Sequence, residues 1–303
     1  MKNRDVNRVN GNTPLPSAAS FANSSAISLT KQMTVPRAFF ALAEPVVEQV
    51  CARARELEVD EDAETVHKLR VALRRLRALW WAFAPLMDSE QSKLDREEFK
   101  RLAEAAGDIR DWDVLGQLLS SDGKFRTRIG SIAPAITEQR QLALESSRAT
   151  LKNADIATLM RTALLGTLHQ LEGRGDDLVT EFAEARVRKA EKALKARIKQ
   201  AHRRKRPDYE ALHAVRIAGK KLRYLLEFFA PILKGRHEKA IKRLTTIQTR
   251  LGNLNDLVVS EVRLRETLPS NVTEDDLKQT LSWMLKQKKQ HLRSAQKHLA
   301  RIK

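Results

Sequence analysis

From Pro36 onward, apolar residues return every three or four positions, with short interruptions at Pro, Gly or Asp. That spacing matches the turn of an α-helix and marks one buried stripe per helix. It predicts helices at about 37–58, 61–86, 90–107, 111–120, 135–153, 155–172, 177–206, 208–233, 236–251, 255–268 and 273–302. Thr273 followed by Asp276 has the spacing of a capping box and marks the start of the last one. No segment alternates with the period of a strand, so the expected fold class is all-α. Residues 1–35 lack the helical period, are rich in Ser, and carry Asp5 as their single acid, which reads as a disordered tail.

The pattern is written twice. "TVHKLRVALRRLRALWWAFAPL" at 65–86 returns as "ALHAVRIAGKKLRYLLEFFAPI" at 211–232, an offset of 146 residues. His67, Arg70, Ala72, Leu76, Arg77, Leu79, Phe83, Ala84 and Pro85 all have identical counterparts, beginning with His213 and ending with Pro231. A second echo follows each copy, "GDIRDWDV" at 107–114 and "GNLNDLVV" at 252–259, now offset by 145. Two homologous halves are therefore expected, at 36–153 and 155–303, each with a basic helix followed by a Gly…Asp break. Asp111 and Asp256 would cap the helices that start after those breaks.

Composition sharpens this picture. The chain of 303 residues has 56 Lys plus Arg against 38 Asp plus Glu, a formal charge of +18. Such an excess repels itself and attracts polyanions. Cys51 is the single cysteine, which excludes an intramolecular disulfide and a cysteine metal site and fits a reducing, cytoplasmic compartment. No run of 18 apolar residues is present, so no membrane span is expected.

The charge is concentrated on helix faces. His67, Arg70, Arg74 and Arg77 share one side of their helix, while Leu69, Leu73, Leu76, Trp80 and Phe83 share another. In the second copy His213, Arg216, Lys220 and Arg223 repeat the basic face, and Val215, Leu222, Leu226 and Phe229 line the core. Arg75 and Lys221 point elsewhere. Like charges three or four residues apart on a helix repel, yet residues 67–80 and 211–226 contain no acid to offset this. A third basic stripe, which includes Lys195, Lys199 and Arg203, runs along 186–206, where 11 cations stand against Glu191. This helix should pack antiparallel to the second His-containing helix, so that their basic faces line one groove. Lys195, Lys199 and Arg203 are peripheral candidates because their register is inferred.

The residues leave four readings: a solvated surface, duplex DNA or RNA, a membrane surface, and a linear polyanion without bases. Duplex binding is open on charge alone. It lacks a helix-turn-helix, a zinc finger, or aromatic residues interleaved with the cations to stack bases. A membrane role needs an exposed apolar face, whereas these apolar stripes are needed for packing. His67 and His213 have no His or acidic partner at i+3 or i+4, so neither metal ligation nor nucleophilic catalysis is favoured. Anion contact, or a structural hydrogen bond at the helix start, suits them better.

The two motifs, His67-x-x-Arg70-Val71-x-x-Arg74-Arg75-x-Arg77 and His213-x-x-Arg216-Ile217-x-x-Lys220-Lys221-Leu222-Arg223-Tyr224-x-x-Glu227, resemble the signature of the CHAD family, the conserved-histidine α-helical domains. With the Gly-x-x-Arg-Asp and Gly-x-x-Asn-Asp echoes, the resemblance spans about 36–303. It implies two helical bundles about a pseudo-twofold axis, a basic central groove or pore, and non-catalytic binding of inorganic polyphosphate. Granule association is expected on the same ground. That implication agrees with the residues, since a phosphate chain needs cations but no stacking: Arg forks onto two oxygens, and Lys supplies a mobile point charge. Family members are often fused to a triphosphate-tunnel enzyme domain, which the 303 residues lack, so a binding protein without cofactor or metal is expected. His67, Arg70, Arg74, Arg77, His213, Arg216, Lys220 and Arg223 are the expected centre. The alternatives are a metal-dependent phosphatase or kinase, with Asp111, Asp256 and Glu227 as its possible Mg²⁺ carboxylates, and a nucleic-acid binder. Gly219 stands mid-helix where the first copy has Leu73, and it is expected to mark a close helix approach near the pseudo-twofold axis. The oligomeric state is not readable from the sequence.

Overall fold

Helices form where the 3.6-residue spacing placed them, because each apolar stripe finds a neighbour to cover it. The computed structural model describes residues 28–59, 63–87, 89–121, 130–203, 208–266 and 272–299. They fold as α1 (Val35–Val59), α2 (Ala63–Phe83), α3 (Glu90–Ser121), α4 (Ile132–Asn153), α5 (Ile156–Leu171), α6 (Val179–His202), α7 (Tyr209–Phe229), α8 (Glu238–Glu266) and α9 (Glu274–Leu299). The fold is all-α, and among the described residues the one β-type pairing is an isolated bridge between Thr34 and Leu178.

Sequential neighbours pack from α1 through α4 and again from α6 through α9, while α5 lies back against α1. The two runs meet where α2 packs on α7 and α3 on α8. They share one apolar core: Phe83 of α2 lies 5.2 Å from Phe182 of α6 and 5.9 Å from Phe229 of α7, ring centre to ring centre. All five residues of the α2 stripe, Leu69 to Phe83, are buried, as are Val215, Leu222, Leu226 and Phe229 of α7. A second apolar cluster gathers Trp112, Leu115 and Leu119 of α3 with Leu257 and Leu264 of α8.

Side chains cap the starts of three helices, and the one at Thr273 was expected. Asp155 accepts from Thr158 N and Asp208 from Ala211 N, and Thr273 Oγ accepts from Asp276 N at 3.2 Å. The Asp276 carboxylate turns away from its own helix to Ser131, taking its backbone N–H at 2.9 Å and its hydroxyl at 2.6 Å. The starts of α4 and α9 are thereby tied together.

Three expectations need correction. First, α3 and α8 run uninterrupted through Gly107–Asp111 and Gly252–Asp256. Neither aspartate caps a helix, because burial of the flanking apolar stripe outweighs the roughly 1 kcal/mol that a mid-helix glycine costs. Second, residues 28–35 of the tail expected over 1–35 are packed on the helices, since Leu29 is buried, Val35 N donates to Asp177 O, and Val179 N donates to Met33 O. Residues 1–27 of that tail, like 204–206 and 300–302 of the expected helix ends, lie outside the described residues. Third, Gly219 faces Leu244 of α8 and Leu194 of α6 within the second run, not the junction with the first. A Cβ there would stand 3.7 Å from Leu244, an ordinary contact, so no exceptional approach requires the glycine.

Candidate functional site

On α2 the apolar stripe turns toward the core, and this turns Arg70, Arg74 and Arg77 toward α7. The stripe of α7 does the same for Arg216 and Lys220. The packing of α2 on α7 therefore sets two rows of cations against each other. Lys220 is half-buried among them, and its pKa is pulled down to about 7. Burial is the first cause, and the positive charges of Arg74, Arg216, Arg70 and Arg77 add to it. Arg70 and Arg216 are also driven below the usual arginine range, chiefly by burial, and Arg74 presses on both.

The floor under these cations comes from α3 and α8. Asp111 Oδ1 stands 3.9 Å from Arg70 Nη2, and Asp256 attracts Arg216 and Arg70. Arg70 crosses α3 at Gly107, where an added Cβ would lie 4.0 Å from its Nε. Arg263 of α8 reaches back to Asp108 of α3 and stands 3.8 Å from Asp111. On both helices the aspartate sits where the apolar stripe passes from the main core to the second cluster, between Ile109 and Trp112 on α3 and between Leu254 and Leu257 on α8. A polar layer is thus clamped between two apolar ones.

The histidines belong to this layer. His67 feels Arg110, Arg74 and Arg70, and burial first, then these charges, hold it below its ordinary pKa. Its Nδ1 is buried without a hydrogen-bond partner among the described residues. His213 is lowered by burial and Arg216, against a hydrogen bond with Asn255. Tyr209 donates to Asn255 Oδ1 at 3.1 Å, and its hydroxyl oxygen lies 3.3 Å from His213 Nδ1.

The remaining candidates divide. Arg223 is engaged by its surroundings: it pairs with Glu227, donates to Gln248 Oε1 at 2.9 Å and lies over the Tyr224 ring. Lys195 and Lys199 of α6 and Arg203, just beyond its end, are exposed. None is among the principal charges acting on Lys220, Arg70 or Arg216. The packing of α6 on α7 occurs as expected. Arg75 and Lys221 reach over aromatic rings of the opposite helix, Arg75 over Phe228 at 5.8 Å and Lys221 over Trp81 at 5.1 Å. Sequence reasoning passed over Arg110, Tyr209, Asn255 and Arg263 and misassigned both aspartates. The echo contained a usable signal, because Arg110-Asp111 and Asn255-Asp256 align and each precedes its aspartate beside a motif histidine.

A separate cavity of about 1170 Å³ opens between α1, α4 and α5. Its walls mix Val47, Cys51 and Ile156 with Arg148, Arg161 and Glu145, so it shares neither residues nor charge character with the basic rows.

Fold and charges together define an all-α protein in which two cationic helices face each other over a carboxylate floor. The chain belongs to the CHAD domain family, which matches residues 41–265. It is similar to two uncharacterized proteins of Mycobacterium tuberculosis, one from strain H37Rv and one from strain CDC 1551, at 28% identity over 248 residues. That match covers 76% of this chain and 45% of each relative, so the chain spans less than half their length. Among solved structures, the CHAD domain from the plant Ricinus communis superimposes with a TM-score of 0.78 at 24% identity, covering 92% of this chain and 96% of that one. PptA from Streptomyces chartreusis gives 0.58 at 14% identity, covering 86% and 96%. Both likenesses concern the fold.

Proposed function

We propose that the facing rows of α2 and α7 hold inorganic polyphosphate without turning it over, and that the protein thereby associates with polyphosphate granules in the cytoplasm. The observation that carries this reading is Lys220, half-buried and surrounded by Arg70, Arg74, Arg77 and Arg216 from two helices. Such crowding is unfavourable in the empty protein and is relieved by a ligand with closely spaced negative charges. A phosphate chain supplies one per unit. The core residues of the site are Arg70, Arg74, Arg77, Arg216 and Lys220, with His67 and His213 beside them and Arg223, Lys195, Lys199 and Arg203 outside the centre.

Two observations favour this over the alternatives. Base stacking needs open aromatic faces, but Trp80, Phe228 and Phe229 are buried, and Trp81 is flanked by Arg186 and Lys221. A phosphatase or kinase needs carboxylates that can hold Mg²⁺, whereas Asp111 faces Arg70 and Arg263, Asp256 faces Arg216, and Glu227 pairs with Arg223.

The test is binding of defined-length polyphosphate and of duplex DNA across a salt series, for wild type and Arg70→Ala/Arg216→Ala. With six to ten phosphate contacts, affinity should fall by roughly 10³- to 10⁵-fold between 50 and 200 mM salt, on the scale of nucleic-acid binding. Polyphosphate should be preferred, and the double variant should bind it more weakly with a shallower salt slope. Stronger binding of DNA, or a double variant equal to wild type, contradicts the proposal, as does EDTA-sensitive release of phosphate.

A further inference from the structure

We infer that Asp111 and Asp256 are resident counter-ions of the basic site, which oppose an entering anion and so set the negative charge a ligand must bring. The inference rests on the polyphosphate reading for the identity of the long ligand, but not for its own test.

The argument starts from position. Both aspartates lie mid-helix, where neither satisfies a free backbone amide. They come from α3 and α8, which pack together, and each acts on the other and on Arg70. The contact with Arg70 is 3.9 Å and that with Arg263 is 3.8 Å, both beyond a hydrogen bond. Asp111 therefore acts on these arginines through its field and does not lock their guanidinium geometry. A carboxylate that merely positioned Arg70 would be expected to form the bidentate fork.

Stability does not account for them either. Burial raises the pKa of Asp111 and of Asp256 in spite of the arginines nearby. A carboxyl group whose folded pKa is raised binds more protons folded than unfolded, so its ionised form lowers stability at neutral pH. What these charges do instead is partly neutralise Arg70 and Arg216 in the empty site. An entering phosphate meets both their repulsion and arginines whose charge is already partly offset. A single small anion cannot offset this, whereas a chain can, because further units engage Arg74, Arg77 and Lys220. The pair sets the site against orthophosphate and similar anions.

The experiment compares wild type, Asp111→Asn, Asp256→Asn and the double variant in titrations with long-chain polyphosphate and, separately, with orthophosphate at constant ionic strength. Each single substitution should tighten polyphosphate binding at least about threefold, and the pair about tenfold, for a unit charge some 6 Å away in a water-like dielectric. The double variant should acquire saturable orthophosphate binding that wild type lacks. Melting temperature and circular dichroism report the fold, and Asp256→Asn alone carries the test should the double variant unfold. Weaker binding with an unchanged melting temperature would mean that the carboxylates position the arginines, and unchanged binding would mean that they play no part. Either result overturns the inference. If wild type ignores polyphosphate, the proposed function fails, while the orthophosphate arm still decides what the carboxylates do.

Discussion

At the scale of single residues, the decisive feature is Lys220. Its folded pKa of about 7 lies well below the 10.5 of a free lysine. Between these values the unfolded chain binds the extra proton, so this side chain makes stability rise with pH from about 7 toward 10. Lys220→Met should remove that slope and raise the melting temperature at pH 7 by about 2 °C or more, while weakening polyphosphate binding. A bound chain restores the charge, so binding takes up a proton. Affinity of the wild type for long polyphosphate should therefore fall by up to roughly twentyfold between pH 6.5 and 8.5, and calorimetry in buffers of different ionisation enthalpy would detect the proton. His67 and His213, held below their ordinary values, add to the effect only at lower pH. An affinity that is flat over this range, or a pH dependence that survives in Lys220→Met, would show that Lys220 is not the titrating contact.

At the scale of elements, the Gly…Asp echoes teach the most. A glycine followed by an aspartate four residues on is the usual mark of one helix ending and the next beginning. In α3 and α8 the same letters lie inside continuous helices, and the aspartates face the cations of the neighbouring helix. Local propensity yielded to the apolar stripe that continues through both segments. Gly219 is likewise a helical glycine with ordinary clearance. Gly219→Ala should be neutral or stabilising by up to about 1 kcal/mol. Gly219→Leu, pressed against Leu194 and Leu244, should destabilise by about 1–3 kcal/mol. Chemical denaturation of the two variants would separate these outcomes, and equal stability would show that the site is looser than its contacts imply.

At the scale of the whole molecule, the two sequence halves are not separate bodies. The ring cluster of Phe83, Phe182 and Phe229 joins α2, α6 and α7 in one core, and Arg263 ties α8 to α3. The site spans this junction, so assembling the junction assembles the site. Heating should give a single cooperative transition, and Phe229→Ala should lower stability by about 3–5 kcal/mol without splitting it. Two resolved transitions in scanning calorimetry, one of them insensitive to Phe229→Ala, would mean that the halves fold independently.

The sequence by itself determined that the chain is helical, the buried stripes of α2 and α7, and the faces on which Arg70, Arg74, Arg77, Arg216 and Lys220 stand. These follow from a local period, and a period is readable one residue at a time. Only the tertiary structure decided which faces meet. Whether a carboxylate caps its own helix or faces an arginine of another depends on residues distant in the chain, such as Asp111 beside Arg70 and Arg263. The same holds for Arg223, whose Nε donates to Gln248 of α8. Charge acts through space, and space is set by packing.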